Sequence, residues 1–177
     1  MTCQRWISAD WIYPGTVLTN VKFRDANLED VDFRNADVSE AEFRDARLAR
    51  ANFEGAQMRR AVLIGADICG ASFDGASMVG AFLNGTSAAG AHFNKTDLRA
   101  ARMGVPKCQP SSLFDPVTSF RGANMEWCLF GAADLTGVDL RNANLSHAHL
   151  YESEIRGALL DGADLTEVRL KRQPEEY

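Results

Sequence analysis

Hydrophobic positions recur every five residues between Val21 and Met103. At one phase of this period the residue is small, and two positions later it is larger and apolar. The small residues are chiefly Ala26, Ala36, Ala41, Ala46, Ala51, Ala56, Ala61, Ala66, Ala71, Ala76, Ala81, Ala91 and Ala101. The larger ones include Phe23, Leu28, Phe33, Val38, Phe43, Leu48, Phe53, Met58, Leu63, Ile68, Phe73, Met78, Leu83, Phe93 and Leu98. Such regularity identifies an internal repeat, which decides the fold before any single element is assigned.

A period of five fits neither an α-helix, with 3.6 residues per turn, nor a plain strand, whose side chains alternate. If the chain turns a corner every five residues, four units close a roughly square coil of about twenty residues. Each side then needs a small inward residue near the corner and a larger one at its centre. Stacked coils pair their backbones at about 4.8 Å. Residues twenty apart therefore stack, and the predicted aromatic core stack is Phe33, Phe53, Phe73 and Phe93.

Several of these units resemble the A(D/N)LXX motif of pentapeptide-repeat proteins. They include Ala26-Asn-Leu-Glu-Asp, Ala51-Asn-Phe-Glu-Gly, Ala143-Asn-Leu-Ser-His and Ala163-Asp-Leu-Thr-Glu. The resemblance extends over residues 16–172 and implies an all-β fold, a right-handed quadrilateral β-helix. The handedness comes from the resemblance alone. Counting the units predicts about seven coils of twenty residues, a solenoid on the order of 35 Å long.

Interruptions of the repeat predict five segments along the chain. Residues 1–15 are rich in apolar side chains and are predicted to cap the N-terminal end, because a solenoid otherwise exposes its core there. The repeat occupies block 1 at 16–103 and block 2 at 118–172. Between them, residues 104–117 contain three prolines and are predicted to form an inserted loop, across which the register is lost and reset. Residues 173–177 form a polar C-terminal tail.

Composition narrows the class of protein. The chain has 177 residues, which fits one domain, and a net charge of -5, which argues against direct binding of nucleic acid. No apolar run approaches the roughly 18 residues that a membrane span needs. The N-terminal residues lack the apolar stretch of a signal peptide, and the four cysteines have no CxxC spacing. We therefore expect a cytoplasmic protein with reduced thiols.

Catalysis finds little support in the sequence. No nucleophile with a base, no metal-ligand spacing and no phosphate-binding loop is visible, so we expect no enzyme, no cofactor and no metal. His147 and His149 lie close to Glu152 in the sequence but form no recognisable set. Cys128 occupies an inward small position and is expected to be inert, whereas Cys108 in the loop is the more reactive thiol.

Partner contacts are expected where the outward pattern fails. Outward positions are mostly polar, but Val62, Ile64 and Phe82 are not, and Val62 and Phe82 are predicted to lie one coil apart on the same side. Leu129 and Leu159 are similar exceptions. With the inserted loop, the candidate partner contacts are Val62, Ile64, Phe82, Lys107, Leu113, Phe114, Trp127 and Tyr151. Two alternatives stay open: the cap or loop covers the apolar residues, or the loop is a neutral insertion.

Acidic residues are concentrated in the second half, where residues 118–177 carry ten Asp and Glu against six Lys and Arg. The candidate acidic face consists of Asp134, Asp139, Glu152, Glu154, Asp161 and Asp164. Some pentapeptide-repeat proteins bind bacterial type II topoisomerases by mimicking DNA. The resemblance therefore implies an alternative function as a DNA-mimicking modulator or protector of DNA gyrase, of the quinolone-resistance type. Acidic solubility alone would also explain the excess.

The preferred hypothesis is a non-enzymatic scaffold for protein–protein interaction, with another protein, possibly DNA gyrase, as its partner. No apolar lid follows Leu170, so the last coil is predicted to leave Leu160, Leu165 and Leu170 poorly covered. An open end of this kind invites pairing with a second copy. We therefore expect a homodimer through the C-terminal coils.

Overall fold

The computed structural model describes residues 14–104 and 118–170. In these two ranges no residue is helical, and each five-residue unit contributes a single isolated β-bridge residue rather than a continuous strand. The bridges are parallel and run from Val17 to Arg169. In the first range every bridge joins residues twenty apart, as Val17 joins Asp37. Four units therefore close each coil, which agrees with the period predicted from the sequence.

Each corner of the coil is a β-turn that follows a central residue. At the corner after Phe23, the Ala26 N–H donates to the Phe23 carbonyl at 3.1 Å, and the intervening Asp25 has φ of 57°. A positive φ at the third position of a turn is the signature of type II, which favours Gly, Asn and Asp. Other residue types also occupy it, including Glu40 and Trp127. Their strain, of order 1 kcal/mol each, is tolerated because the packed core fixes the backbone.

We number the four sides in chain order and define each by its inward central residues. Side 1 contains Leu18, Val38, Met58, Met78, Leu98, Met125, Leu145 and Leu165. Side 2 contains Phe23, Phe43, Leu63, Leu83, Met103, Phe130, Leu150 and Leu170. Side 3 contains Leu28, Leu48, Ile68, Ala88, Leu135 and Ile155. Side 4, opposite side 2, contains Phe33, Phe53, Phe73, Phe93, Phe120, Leu140 and Leu160.

The predicted phenylalanine stack lies on side 4 and is longer than expected. Phe53 and Phe73 are parallel with ring centroids 5.0 Å apart, and Phe73 and Phe93 follow at 4.9 Å. Phe93 then stacks on Phe120 at 4.7 Å. Rings from sides 2 and 4 meet edge to face inside the coil, as Phe33 does with Phe43 at 5.9 Å. The core is thus a square interior filled by stacked aromatic and aliphatic columns.

The interruption between the two repeat blocks does not break the columns. Across it, the bridge spacing rises from twenty to twenty-seven residues, and Arg102 pairs with Leu129. The seven extra residues therefore fall in the sequence between Gly104, which follows side 2, and Thr118, which begins side 4, and sides 1, 2 and 4 continue. The register is thus reset with an offset of seven residues. The predicted cap, loop and tail, including Lys107, Cys108, Leu113 and Phe114, lie almost entirely outside the described residues.

Polar residues in the small inward positions are hydrogen-bonded to the backbone. Thr96 Oγ1 donates to the Phe73 carbonyl at 2.7 Å, and the Cys128 thiol donates to the Leu98 carbonyl at 2.8 Å. Cys128 is fully buried, and burial raises the pKa of its thiol far above the usual range. The thiol therefore stays neutral and unreactive at physiological pH, as its inward position predicts.

A close backbone contact marks the point where the chain leaves side 2. Gly104 is buried, and a Cβ on it would lie 2.8 Å from both the nitrogen and the oxygen of Gly131 in the next coil. Asn84 Nδ2 donates to the Gly104 carbonyl at 3.2 Å. Only glycine allows two coils to approach this closely at a position next to the insertion.

Candidate functional site

Side 2 gathers apolar side chains on its outer surface. Val62 pairs with Phe82, Phe82 with Arg102, and Arg102 with Leu129, so these four residues form one outward column across successive coils. Ile64 lies beside this column, two residues after Val62 on the same side. Val62, Ile64 and Phe82 are half-buried, and Leu129 is 38% exposed. We call Val62, Ile64, Phe82 and Leu129, together with Trp127 at the adjoining corner, the side-2 patch.

Trp127 occupies the corner between sides 1 and 2, two residues before Leu129, and is 48% exposed. Its ring stacks on that of His147 with a centroid separation of 4.3 Å and an interplanar angle of 5°. His147 Nδ1 lies 3.1 Å from Glu167 Oε2, one coil further on. This stacking holds a large aromatic surface rigidly at the edge of the patch, where tryptophan is a frequent binding hot spot.

The backbone of the outward column is fully hydrogen-bonded. The Phe82 N–H donates to the Ala61 carbonyl at 3.0 Å, and the Phe82 carbonyl accepts from the Leu63 N–H at 2.8 Å. Val62, Arg102 and Leu129 pair both of their backbone groups in the same way. Side 2 therefore presents side chains and no free backbone groups, so a partner would have to recognise it through side-chain contacts.

Positive charge accompanies the apolar residues on side 2. Arg24 and Arg44 precede the patch in the first two coils, and Arg102 interrupts it with its guanidinium carbon 5.3 Å from the Phe82 ring centroid. In the described part of the chain, none of these three arginines forms an ion pair. Lys22 and Glu42 precede Val62 in the same outward column. Glu42 is the one carboxylate of the described part of this column, and its Oε1 lies 3.6 Å from Lys22 Nζ.

Some arginines on other sides pair with a carboxylate two residues earlier. Arg141 Nη2 lies 2.7 Å from Asp139 Oδ2, and Arg99 Nη2 lies 2.7 Å from Asp97 Oδ2. The hydrogen bonds from these guanidinium groups lower the pKa of both aspartates. Arg34 and Asp32 repeat the arrangement at 2.6 Å. Arg59 on side 1 and Arg121 on side 4 likewise form no ion pair in the described part of the chain, so unpaired arginines are not peculiar to side 2.

Two further candidate residues lie outside the patch. Tyr151 is on side 2 beyond Leu129, where its ring is tilted against His149 at a centroid distance of 5.1 Å. Its hydroxyl oxygen is buried and has no hydrogen-bond partner among the described residues. Leu159 is 43% exposed but belongs to side 4, on the opposite face of the coil. The structure thus brings most of the apolar exceptions together and separates Leu159 from them.

Sequence comparison identifies the repeat. The sequence profile described as "Pentapeptide repeats" matches in eight copies, over residues 15–48, 39–75, 70–104 and 133–172, which is well over half of the chain. The chain belongs to the pentapeptide repeat family. No curated protein has a matching sequence.

Solved structures of other pentapeptide repeat proteins are similar. HetL of the cyanobacterium Nostoc, involved in heterocyst differentiation regulation, is 22% identical, with 88% of this chain and 75% of HetL covered and a TM-score of 0.33. Full-length QnrB1, a plasmid-mediated fluoroquinolone resistance protein, is 18% identical, with coverages of 89% and 87% and a TM-score of 0.32. A thylakoid lumen protein of Arabidopsis thaliana is 20% identical, with coverages of 80% and 70% and a TM-score of 0.27.

The acidic candidates are distributed around the pentapeptide repeat coil. Asp134 and Glu154 are bridge partners on side 3, and Glu154 also pairs with Arg156 at 3.5 Å. Of the remaining four, Asp139 and Asp161 lie on side 4, Asp164 on side 1, and Glu152 at the corner between sides 2 and 3. The structure therefore does not bring the six residues onto one face.

Groups suited to metal binding are not gathered in the described residues. No cluster of three or more His, Cys, Asp or Glu able to hold a metal occurs in residues 14–104 and 118–170. The carboxylate beside His147 is that of Glu167, one coil further on. No helix able to cross a membrane is found in the same residues.

Two features of the candidate site were missed by reasoning on the sequence. Leu129 is recognised as the next residue of the column after Phe82 and Arg102 only when the spacing across the insertion is taken as twenty-seven residues instead of twenty. The unpaired state of Arg24 and Arg44 depends on which carboxylates share their side. The twenty-residue period alone places Glu42 on the same side as both arginines, so only the structure shows that they form no ion pair with it.

Proposed function

We propose that this pentapeptide repeat protein is a non-enzymatic scaffold that binds another protein through side 2. The observation that carries the proposal is the side-2 patch, in which Val62, Phe82 and Leu129 are outward neighbours and Trp127 adjoins them. Most other outward positions in the repeat are charged, amide, hydroxyl or glycine residues. A cluster of exposed apolar side chains in such a surface is typical of an interface.

Site-specific photo-crosslinking in the cells that naturally produce the protein tests the proposal. A photoreactive benzoylphenylalanine replaces Phe82 in one variant and Leu159 in a matched control, because both are outward bridge residues on opposite sides. We expect a discrete protein adduct from position 82 and none from position 159. Equal adducts from both positions, or none from position 82, would contradict the proposal.

The alternative function is DNA-mimicking modulation of DNA gyrase. It is supported by the acidic excess of residues 118–177, of which Asp134 and Glu154 lie side by side on side 3. The scattered positions of the other acidic candidates make it the second choice. A supercoiling assay with and without a quinolone decides the matter, since no effect at micromolar protein would exclude this alternative.

A homodimer through the C-terminal coils remains part of the proposal. Inward residues of the final coil are poorly covered: Leu165 is 45% exposed and Leu170 is 57% exposed. Light scattering coupled to size-exclusion chromatography should give twice the monomer mass at tens of micromolar. Replacing Leu165 by glutamate should give the monomer mass, and an unchanged mass would contradict this interface. The right-handed sense, the count of seven coils and the cytoplasmic location also stay predictions.

A further inference from the structure

The indole of Trp127 has one covered face and one open face at the corner between sides 1 and 2. His147 covers the first face, with its ring parallel to the indole in the next coil at 4.3 Å. Trp127 Nε1 donates to Glu126 Oε1 at 3.2 Å, which fixes the plane of the indole. Because this stack runs from coil to coil, the second face of the indole points to the same corner of the preceding coil.

The corner residues of the two preceding coils are small. The Ala100 N–H donates to the Glu126 carbonyl and the Gly80 N–H donates to the Arg99 carbonyl, so this corner passes from Gly80 to Ala100 to Trp127 in successive coils. Ala100 is exposed and Gly80 is half-buried. Two coil levels, about 9.6 Å in height, therefore separate the indole from the next long corner side chain. We call the space over Ala100 and Gly80 the Trp127 slot.

This arrangement is specific to one corner of the coil. Trp127 and His147 are the only ring-bearing residues among the corner residues with positive φ in the described ranges. Trp127 has φ of 60°, a strained conformation for so bulky a side chain, and such strain is frequent where a residue serves binding. In residues 14–104 and 118–170, no ring or guanidinium stacks on the second face of the indole. The open indole face is therefore not a general property of the repeat.

The walls of the Trp127 slot differ between its two levels. Val79 and Phe82 flank the level that is further from the indole, and Arg99 and Arg102 flank the nearer level. The Arg102 guanidinium carbon lies 5.3 Å from the Phe82 ring centroid, so a cation already packs on an aromatic face beside the slot. Phe82 also makes the slot continuous with the side-2 patch.

The charges around the slot disfavour a cationic occupant. Over the coil levels from Arg60 to Trp127, sides 1 and 2 and the corner between them carry four arginines and two carboxylates: Arg59, Arg60, Arg99, Arg102, Asp97 and Glu126. Arg60 closes the far end of the slot, since a Cβ on Gly80 would lie 3.6 Å from its Cγ, and it forms no ion pair in the described part of the chain. A surplus of positive charge repels a lysine or arginine side chain, although an indole face alone would attract one.

We propose that the Trp127 slot binds an aromatic side chain of the partner protein, an inference that rests on the scaffold function above. A ring at the level of Ala100 stacks on the open face of Trp127 as His147 does on the other face. The coil spacing of about 4.8 Å is close to the 4.3 Å of the existing stack, so the inserted ring requires no shift of the coils. Its edges meet the apolar Val79 and the arginines of the slot, which an aromatic face attracts.

Nuclear magnetic resonance with small aromatic probes tests the proposal. The full chain carries isotopically labelled tryptophan, and the Trp127 indole N–H resonance is assigned by its loss in Trp127→Phe. The probes are N-acetyl-tryptophanamide and N-acetyl-tyrosinamide, with the leucine and arginine amides and adenosine monophosphate as controls. Ala100→Gln fills the slot with an uncharged side chain. Ala132→Gln, at the next corner of the coil, is the matched control because Ala100 and Ala132 have φ of 56° and 53°.

We expect the two aromatic amides to shift the Trp127 resonance with saturation and to bind at least fivefold more tightly than the three control compounds. Ala100→Gln should weaken this binding at least fivefold, and Ala132→Gln should change it less than twofold. Circular dichroism of both variants should match that of the unchanged protein, so that lost binding reports the slot and not the fold. Absence of a saturable shift, equal binding of any control compound, or equal effects of the two glutamine variants would overturn the proposal.

This test and the cross-linking test fail separately. A protein adduct from position 82 without selective binding of the aromatic amides would leave the scaffold function standing and reject the aromatic occupant. Absence of an adduct from position 82 would reject the scaffold function itself.

Discussion

The contact between Gly104 and Gly131 gives a sharp test of the coil geometry. A Cβ added to Gly104 would lie 2.8 Å from the Gly131 nitrogen and oxygen and 3.0 Å from its Cα. All three are backbone atoms, which cannot move aside as a flexible side chain can. The reverse is not true, because a Cβ on Gly131 would approach the Gly104 Cα no closer than 3.9 Å. The two glycines touch each other but tolerate a methyl group very differently.

Gly104→Ala is therefore expected to destabilise the protein, and Gly131→Ala is not. Forcing an extra methyl group into a packed site costs about 1–3 kcal/mol. Loss of unfolded-state entropy on replacing glycine offsets about 0.4–1 kcal/mol. The net cost is about 1–2 kcal/mol for Gly104→Ala, whereas Gly131→Ala should be neutral or slightly stabilising. Neither residue has a positive φ, so backbone strain does not confuse the comparison.

Differential scanning calorimetry measures the difference. For a domain of this size, 1 kcal/mol moves the melting temperature by about 2–4 °C, so Gly104→Ala should melt roughly 2–8 °C lower. Gly131→Ala should melt within about 2 °C of the unchanged protein or above it. Equal melting temperatures for the two variants would refute the close approach of these coils.

Three further predictions concern the core and two titratable groups. Phe73→Ala should cost about 3–5 kcal/mol in urea unfolding because Phe73 is fully buried between two stacked rings, whereas the outward Phe82→Ala should cost under about 1 kcal/mol. Burial raises the pKa of Cys128, so stability should fall as pH rises above about 8.5, by about 2 kcal/mol at pH 10, and Cys128→Ala should remove that difference. The Arg141 hydrogen bond lowers the pKa of Asp139, so this pair contributes under about 1 kcal/mol to the free energy of unfolding above pH 4, and the contribution is lost as the pH falls toward 2. In Arg141→Gln the free energy of unfolding should therefore fall less between pH 4 and pH 2.

The inner columns were predictable because packing leaves little choice. A five-residue period with a small and a large inward residue closes a coil of twenty, and this places Phe33, Phe53, Phe73 and Phe93 in one stack. The stack extends to Phe120 because the seven extra residues fall in the sequence before Thr118, which begins side 4. From the sequence, the insertion looks like a loss of register, since its length is not a multiple of five.

Corners and charges were harder to predict because they depend on neighbours in other coils. Repeated glycines indicated corners, but Glu40 and Trp127 adopt the same left-handed conformation without being glycine. At Glu40 the N–H donates to the Arg59 carbonyl at 2.8 Å, one of the ladder bonds that hold the corner in place. Net charge likewise says nothing about sides: Asp134 and Asp139 are five residues apart and therefore lie on adjacent sides, not on one acidic face.

The position of the insertion separates the contribution of the loop from that of side 2. Because the extra residues fall in the sequence between Gly104 and Thr118, the outward column continues from Arg102 to Leu129 without them. Replacing residues 105–117 by the six residues at 85–90, which occupy the same place one coil earlier, restores the twenty-residue spacing. This variant should fold and, with benzoylphenylalanine at position 82, should give the same protein adduct as the protein with the natural loop. Loss of the adduct, with an unchanged circular dichroism spectrum, would instead place Lys107, Leu113 and Phe114 in the binding site.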